Sequence, residues 1–227
     1  MRTAALVAAR NAELHLMECL RSLEDFDDVH IVNDDSDDET AAIARAAGHK
    51  CKHWRKHRGQ TAAKLELLRM AKKADLVCFV DSDDYRIPGT LRSQVEALGD
   101  ADVVSSPVIR TSNRTPLDSP ANPWLFAWNG TSAALAMLWR RSALLEIAER
   151  YRFEEGAPEP QFALAFLRGG RRFAWSSEVV GHYRDDWSPD QASKVADPIM
   201  RNVRRGLKAI APPEQLKLFE IMKFKPQ

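Results

Sequence analysis

The chain has 227 residues, 44% of them hydrophobic and 29% charged, with a formal net charge of +1. That size suits one domain with a full core, and the near-neutral balance excludes nucleic-acid or membrane binding driven by bulk charge. Cys19, Cys51 and Cys78 form no CxxC pair or zinc spacing, no run approaches the roughly 18 apolar residues of a membrane span, and the N-terminus lacks signal-peptide form; a cytoplasmic protein is expected, with peripheral membrane contact left open.

Residues 1–108 alternate between strand and helix patterns. Thr3–Ala9 reads as a strand, and Asn11 as the cap of a helix to about Glu24 with Leu16, Cys19, Leu20 and Leu23 on one stripe. A second strand, Val29–Asn33, precedes a helix capped by Asp37 or Asp38 and stopped by Gly48. A short third strand, Lys50–Trp54, and a helix from about Gln60 to Lys73 follow. Then comes the apolar run Val77–Val80, a helix after Pro88 carrying Leu91, Val95 and Leu98, and a strand over Ala101–Ile109. This rhythm predicts a parallel sheet with helices on both faces. It breaks at 111–123, a loop rich in polar residues and proline. Beyond it the pattern predicts a strand at Ala133–Trp139, helices at 141–151 and 159–168, and strands at Arg171–Ser176 and Val179–Arg184. A basic, amphipathic helical tail over 189–227 is expected to pack on the domain.

The run Asp75-Leu-Val-Cys-Phe-Val-Asp-Ser-Asp-Asp84 carries the chemistry. Three carboxylates, Asp81, Asp83 and Asp84, crowd the end of a buried strand, where like charges raise one another's pKa. A hard divalent cation, sharing oxygen ligands with substrate phosphates, resolves that conflict. An acidic turn is the plainer reading. Two other strands also end in polar sequence, Arg10-Asn11 and Asn33–Asp38, and ligands of open parallel sheets bind beyond such carboxyl ends.

The stretches Val7–Glu13, Val32–Thr40, Gly59–Lys64 and Phe79–Asp84, with Pro88 and Leu91 after them, resemble glycosyltransferase family 2 over roughly residues 1–190. The resemblance implies an α/β fold of the GT-A, Rossmann-like type. A mostly parallel sheet flanked by helices forms a nucleotide-sugar half (1–110); a mixed acceptor half (111–188) and a helical tail (189–227) follow. It further implies a metal-dependent, inverting transferase that moves a sugar from a nucleotide-diphospho-sugar, a uridine one by expectation, to a hydroxyl of a saccharide, lipid-linked or other acceptor. A nucleic-acid acceptor is not favoured. On that resemblance Asp34 holds the uracil or ribose, Asp81 the ribose or diphosphate, and Asp83 is the chief ligand of Mg²⁺ or Mn²⁺, with Asp81 assisting. Lys64 sits near the phosphates, and Ala8, Arg10 and Ser82 complete the donor-contacting set. Plainer readings stand beside these: Asp34 and Asp38 as helix caps, Lys64 as a solvated lysine.

In the second half, Phe153–Gln161 followed by Phe162–Leu167, Gly169-Gly170 and Phe173 has the family's shape, which implies that Glu159 stands at the catalytic base position. Glu155 is the alternative base, and an acid merely opening a helix is the alternative role for Glu159. Tyr183-Arg184 also matches, but Asp186 replaces the family's histidine; His182 is the substitute metal ligand, or else a structural hydrogen-bonding residue. The basic stretch Lys50–Arg58 reads as a solvated loop, Trp139 and Trp175 as core, and Trp124, Trp128 and Trp187 as indoles able to stack on sugar. Rival readings are a nucleotidyltransferase, disfavoured because Val7–Glu13 contains no glycine for a phosphate loop, and a non-catalytic donor-binding scaffold.

Overall fold

The computed structural model describes residues 1–117, 122–124, 127, 133–185 and 193–222. Asp186, Trp187 and the Trp128-Asn129-Gly130 segment lie outside the described residues.

The first half alternates as expected: β1 (Thr3–Ala9), α1 (Leu16–Arg21), β2 (Asp28–Asp34), α2 (Thr40–Ala46), β3 (Lys50–Trp54), α3 (Gln60–Met70) and β4 (Leu76–Asp81). After a two-residue β5 (Tyr85–Arg86) come α4 (Leu91–Leu98), β6 (Val103–Ser105), β7 (Val108–Arg110) and β8 (Pro116–Leu117). A 3₁₀ turn (Ala134–Ala136) leads into β9 (Met137–Arg140), α5 (Arg141–Arg150), α6 (Pro158–Arg168), β10 (Phe173–Trp175), β11 (Gly181–Tyr183), α7 (Ser193–Ile210) and α8 (Pro213–Met222).

The main sheet has seven strands in the order β10-β6-β9-β4-β1-β2-β3. Its pairings are parallel except for β9, which runs antiparallel between β4 and β6. Parallel β1, β2 and β4 therefore deliver Arg10, Asp34 and Asp81 to one edge, with Ala8 directly opposite Asp81 and Val32 in register. Strand β4 is buried on both faces, which is why its sequence is continuously apolar rather than alternating. A second sheet, β5-β11-β7-β8, stands beside that edge.

Three expectations are corrected. The helix expected from Asn11 is only α1, because residues 11–13 instead cross-link the ends of β1 and β2. Asn11 takes a left-handed φ of 49°. Its N–H donates to Ser36 Oγ (3.0 Å), and its Oδ1 accepts from the Asp37 N–H (3.0 Å). The expected strand at 101–109 is two strands in different sheets, broken at Ser106-Pro107, where Ser106 N–H donates to Ala136 O (2.9 Å). The first part of the expected strand at 133–139 is the 3₁₀ turn.

Aromatic packing seats α6 against β4. Trp139 of β9 meets Phe166 edge-on at 4.7 Å between ring centroids, and Phe79 of β4 lies 5.8 Å from Phe162. Each such pair contributes about 0.5–1.5 kcal/mol beyond its buried area. On the far side of α6 packs α7, burying Ile199, Met200, Val203 and Leu207, as expected for an amphipathic tail. Trp139, Cys19 and Cys78 are core, whereas Trp175 is half-buried. Among the described residues no helix is long and apolar enough to cross a membrane.

Candidate active site

Lys64 is the centre of the site. Its side chain is fully buried, yet its ammonium is paired twice: with Asp81 Oδ1 at 2.8 Å and, more closely, with Glu159 Oε1. The solvated reading of this lysine therefore does not hold. Burial by itself lowers the pKa of Lys64, but the Asp81 and Glu159 charges outweigh it and hold the amine above the lysine range. Glu159 is pulled both ways. Burial raises its carboxyl, the Lys64 charge draws it back, and burial prevails. Gln60 Nε2 also donates to Asp81 Oδ1 (3.1 Å), so the tip of β4, the first turns of α3 and the start of α6 meet at one oxygen-rich point.

Asp34 is almost wholly buried, and its carboxylate is occupied. Oδ1 accepts from the Arg58 N–H (2.8 Å), and Oδ2 from the Gly59 N–H (2.8 Å) and from His57 Nδ1 (2.9 Å). Arg10 reaches His57 Nε2 at 3.4 Å, which leaves Nδ1 to carry the proton toward Asp34. Asp34 thus fixes the loop that opens α3, and Arg58 stacks over Trp54 at 4.8 Å beside it. Asp38, just before α2, accepts from the Thr40 N–H (3.0 Å) and also from Glu13 N–H (3.0 Å), but the N-cap position of α2 is Glu39 rather than the expected Asp37 or Asp38.

Asp83 and Asp84 are in the opposite condition. Burial, then the charges of its neighbours, pushes the Asp83 carboxyl up to about 6. Asp84 is pushed well above its usual range by the same causes. Asp84 Oδ1 accepts the Arg184 N–H (2.8 Å), while the buried Oδ2 has no hydrogen-bond partner among the described residues. Arg184 also donates from Nε to the Asp83 carbonyl (2.9 Å) and from Nη2 to Glu18 (2.8 Å), tying the end of β11 to the acidic turn. Ser82 is half-buried in that turn. His182 stacks on Tyr85 with ring centroids 4.7 Å apart, and burial, then Arg114, lowers its pKa.

Among the described residues no group of three His, Cys, Asp or Glu is arranged to hold a metal unaided. The residues fit a hard cation nonetheless: an orphaned buried carboxylate oxygen and two carboxyls with raised pKa are what an acidic turn shows when its countercharge comes from outside the chain. Remaining ligands would then come from water and substrate oxygens.

The family model for glycosyl transferase family 2 matches residues 5–172. The chain belongs to glycosyltransferase family 2. Solved structures agree on the GT-A fold. S. aureus TarS 1–349, determined with UDP-GlcNAc, superposes with a TM-score of 0.73 at 21% identity, covering 96% of this chain and 69% of that one. The mannosyltransferase PcManGT of Pyrobaculum calidifontis, with GDP-Man and Mn²⁺, gives 0.66 at 16% identity, covering 98% and 79%. Glucosyl-3-phosphoglycerate synthase of Mycobacterium tuberculosis, with Mn²⁺, UDP and glucosyl-3-phosphoglycerate, gives 0.64 at 19%, covering 92% and 79%. No curated protein sequence matches significantly.

Several residues of this glycosyltransferase site escaped the sequence reading. His57 and Arg58 lie in the stretch read as a solvated basic loop, and Gln60 carries no signal beyond the Gly59–Lys64 motif that contains it. A helix beginning directly after the loop was the one available clue. Glu155, the alternative base, is engaged elsewhere: its carboxylate accepts from the Thr61 N–H (3.2 Å) and Ala62 N–H (3.4 Å) at the start of α3.

Proposed function

We propose that this chain transfers a sugar from a nucleotide-diphospho-sugar, a uridine one by preference, to an acceptor hydroxyl by a single in-line displacement that inverts the anomeric centre. The observation that carries this reading is the double pairing of Lys64. One buried ammonium holds Asp81, at the donor end of β4, and Glu159, at the head of α6, in fixed relation. The neighbours with this fold that were determined with UDP-GlcNAc, GDP-Man or UDP support a nucleoside-diphosphate donor.

In this reading Glu159 takes the proton from the acceptor hydroxyl, and Lys64 keeps that carboxylate oriented. A positioned base of this kind contributes roughly 10²–10⁴ in rate. Asp81 and Gln60 face the ribose or diphosphate from the tip of β4 and the start of α3. Asp34 acts through the loop it fixes, setting Arg10, His57 and Arg58 around the base and ribose, with Ala8 and Ser82 as backbone floor. Asp83, with Asp81 and His182, would hold Mg²⁺ or Mn²⁺. When bound, such a cation neutralises charge on the departing diphosphate.

Glu159→Gln tests the assignment. Donor affinity, read by thermal shift with nucleotide-sugars and Mn²⁺, should stay within a few-fold while turnover falls by about 10²–10⁴. Lost donor binding with unchanged turnover per bound enzyme would remove Glu159 from the role, and donor binding by the wild type without transfer to any acceptor would favour a scaffold.

A further inference from the structure

We propose that Glu155 is a positioning residue for catalysis: its carboxylate latches the loop before Glu159 to the first turn of α3. The latch keeps the helix that carries Gln60 and Lys64 and the helix that carries Glu159 in one relative setting. The proposal rests on the reading of Glu159 as the base.

The first N–H groups of a helix have no partner within it, and the positive end of the helix favours a carboxylate. Gly59, at the N-cap of α3, has no side chain to serve them. Glu155 serves them from 94 residues away, through Thr61 N–H to Oε1 and Ala62 N–H to Oε2. Gly59 is shaped around this contact. Its φ of +89° suits glycine, and a Cβ there would lie 2.2 Å from the Glu155 carboxyl carbon. Thr61 adds a second fastening, its Oγ1 donating to the Glu154 carbonyl (3.0 Å) and accepting from the Gly156 N–H (3.1 Å).

The other end of the loop is bound to α6. Gln161 Nε2 donates to the carbonyls of Glu154 (3.0 Å) and Gly156 (2.7 Å), and its Oε1 accepts from the Glu154 N–H (2.8 Å). Helix α6 and its leading loop are therefore attached to α3 at two points. One is the Lys64–Glu159 ion pair; the other is the latch at Thr61, three residues earlier along α3. A single ion pair permits pivoting about the ammonium. Two attachments fix the direction in which Glu159 faces the acceptor. Glu155 is itself exposed, so its contribution to stability is small, whereas reaction rate is sensitive to small misplacements of a reacting group.

Glu155→Ala, Glu155→Gln, Gly59→Ala and the double variant Gly59→Ala/Glu155→Ala test it, each measured for kcat and donor KM with Mn²⁺. Glu155→Ala should lower kcat by about 10- to 100-fold with donor KM within about threefold. Glu155→Gln, which keeps an acceptor oxygen for Thr61 N–H, should recover most of the loss. Gly59→Ala expels the carboxylate, so the double variant should be no slower than Gly59→Ala alone; if Gly59→Ala does not fold, the two Glu155 variants carry the test. Wild-type kcat in Glu155→Ala, with only a lower Tm, overturns the latch as a positioning device. Normal turnover in Glu159→Gln overturns the base assignment instead, so the two failures are distinguishable.

Discussion

The tips of β2 and β4 look alike in sequence and are opposite in physics. Each ends an apolar strand with a cluster of aspartates. At the β2 tip, Asp34 accepts from two backbone N–H groups and a histidine, all supplied by the loop after β3. At the β4 tip, Asp83 and Asp84 have raised pKa values and Asp84 Oδ2 has no partner among the described residues. The first acid is tied down by hydrogen-bond donors that the chain itself supplies. The second pair lacks part of its countercharge, which is the state expected of a group that meets a cation or ligand. Acidity at a strand end is therefore not in itself a site; missing compensation is.

The largest expected effect breaks the comparison at β4. Asp83→Asn should lower transfer by about 10³-fold or more, since a metal clamp on a leaving group contributes several kcal/mol in the transition state. Near-normal transfer with excess Mn²⁺ would put the cation elsewhere. Lys64→Met comes next. It leaves the buried Glu159 and the half-buried Asp81 without their shared cation, a loss of about 3–5 kcal/mol by urea unfolding. A loss below about 1 kcal/mol would mean that solvent already screens the pair.

Two matched substitutions then sharpen the contrast in metal-free protein at pH 7. Asp34→Asn places an amide against N–H donors and should cost on the order of 1–3 kcal/mol. Asp84→Asn replaces a buried acid whose charged form is disfavoured by burial and by Asp81 and Asp83, and should raise the urea midpoint. Equal changes of the same sign would erase the distinction drawn here. The smallest effect is on pH dependence. Asp83 titrates at about 6 in the folded chain, against ~3.9 when unfolded. The native state thus binds its proton more tightly, so this contribution is fully present below about pH 4 and is lost as pH rises through about 6. Metal-free Tm should fall across that window, and added Mn²⁺ should raise Tm more at pH 7.5 than at pH 5. A metal response independent of pH would detach the cation from these carboxylates.

Much of the site was legible because the relevant residues are fixed by local pattern. The buried strand Leu76–Val80, the acids at its end and the apolar stripe of α6 need only period and turn chemistry to be read. Lys64 was ambiguous because a lysine one turn into a helix is usually solvated; only the approach of α6, held by Phe79, Phe162 and Trp139, buries it. The contacts of Glu155 with α3 are not legible in the sequence for a similar reason, since its partners lie 94 residues away and are backbone groups, which no side-chain pattern announces. The over-long helix after β1 failed where Asn11, Ala12 and Glu13 bond to the β2 loop in preference to one another.

By itself the sequence determined the alternation of strands and helices, the parallel core of the sheet and the strand end where chemistry gathers, because hydrophobic period and charge at a boundary are local properties of a chain. Tertiary structure decided which acid is compensated and which is left wanting, and which lysine is buried between two carboxylates. Those outcomes depend on backbone donors and charges brought together from distant segments, and electrostatic compensation is a property of neighbourhood in space.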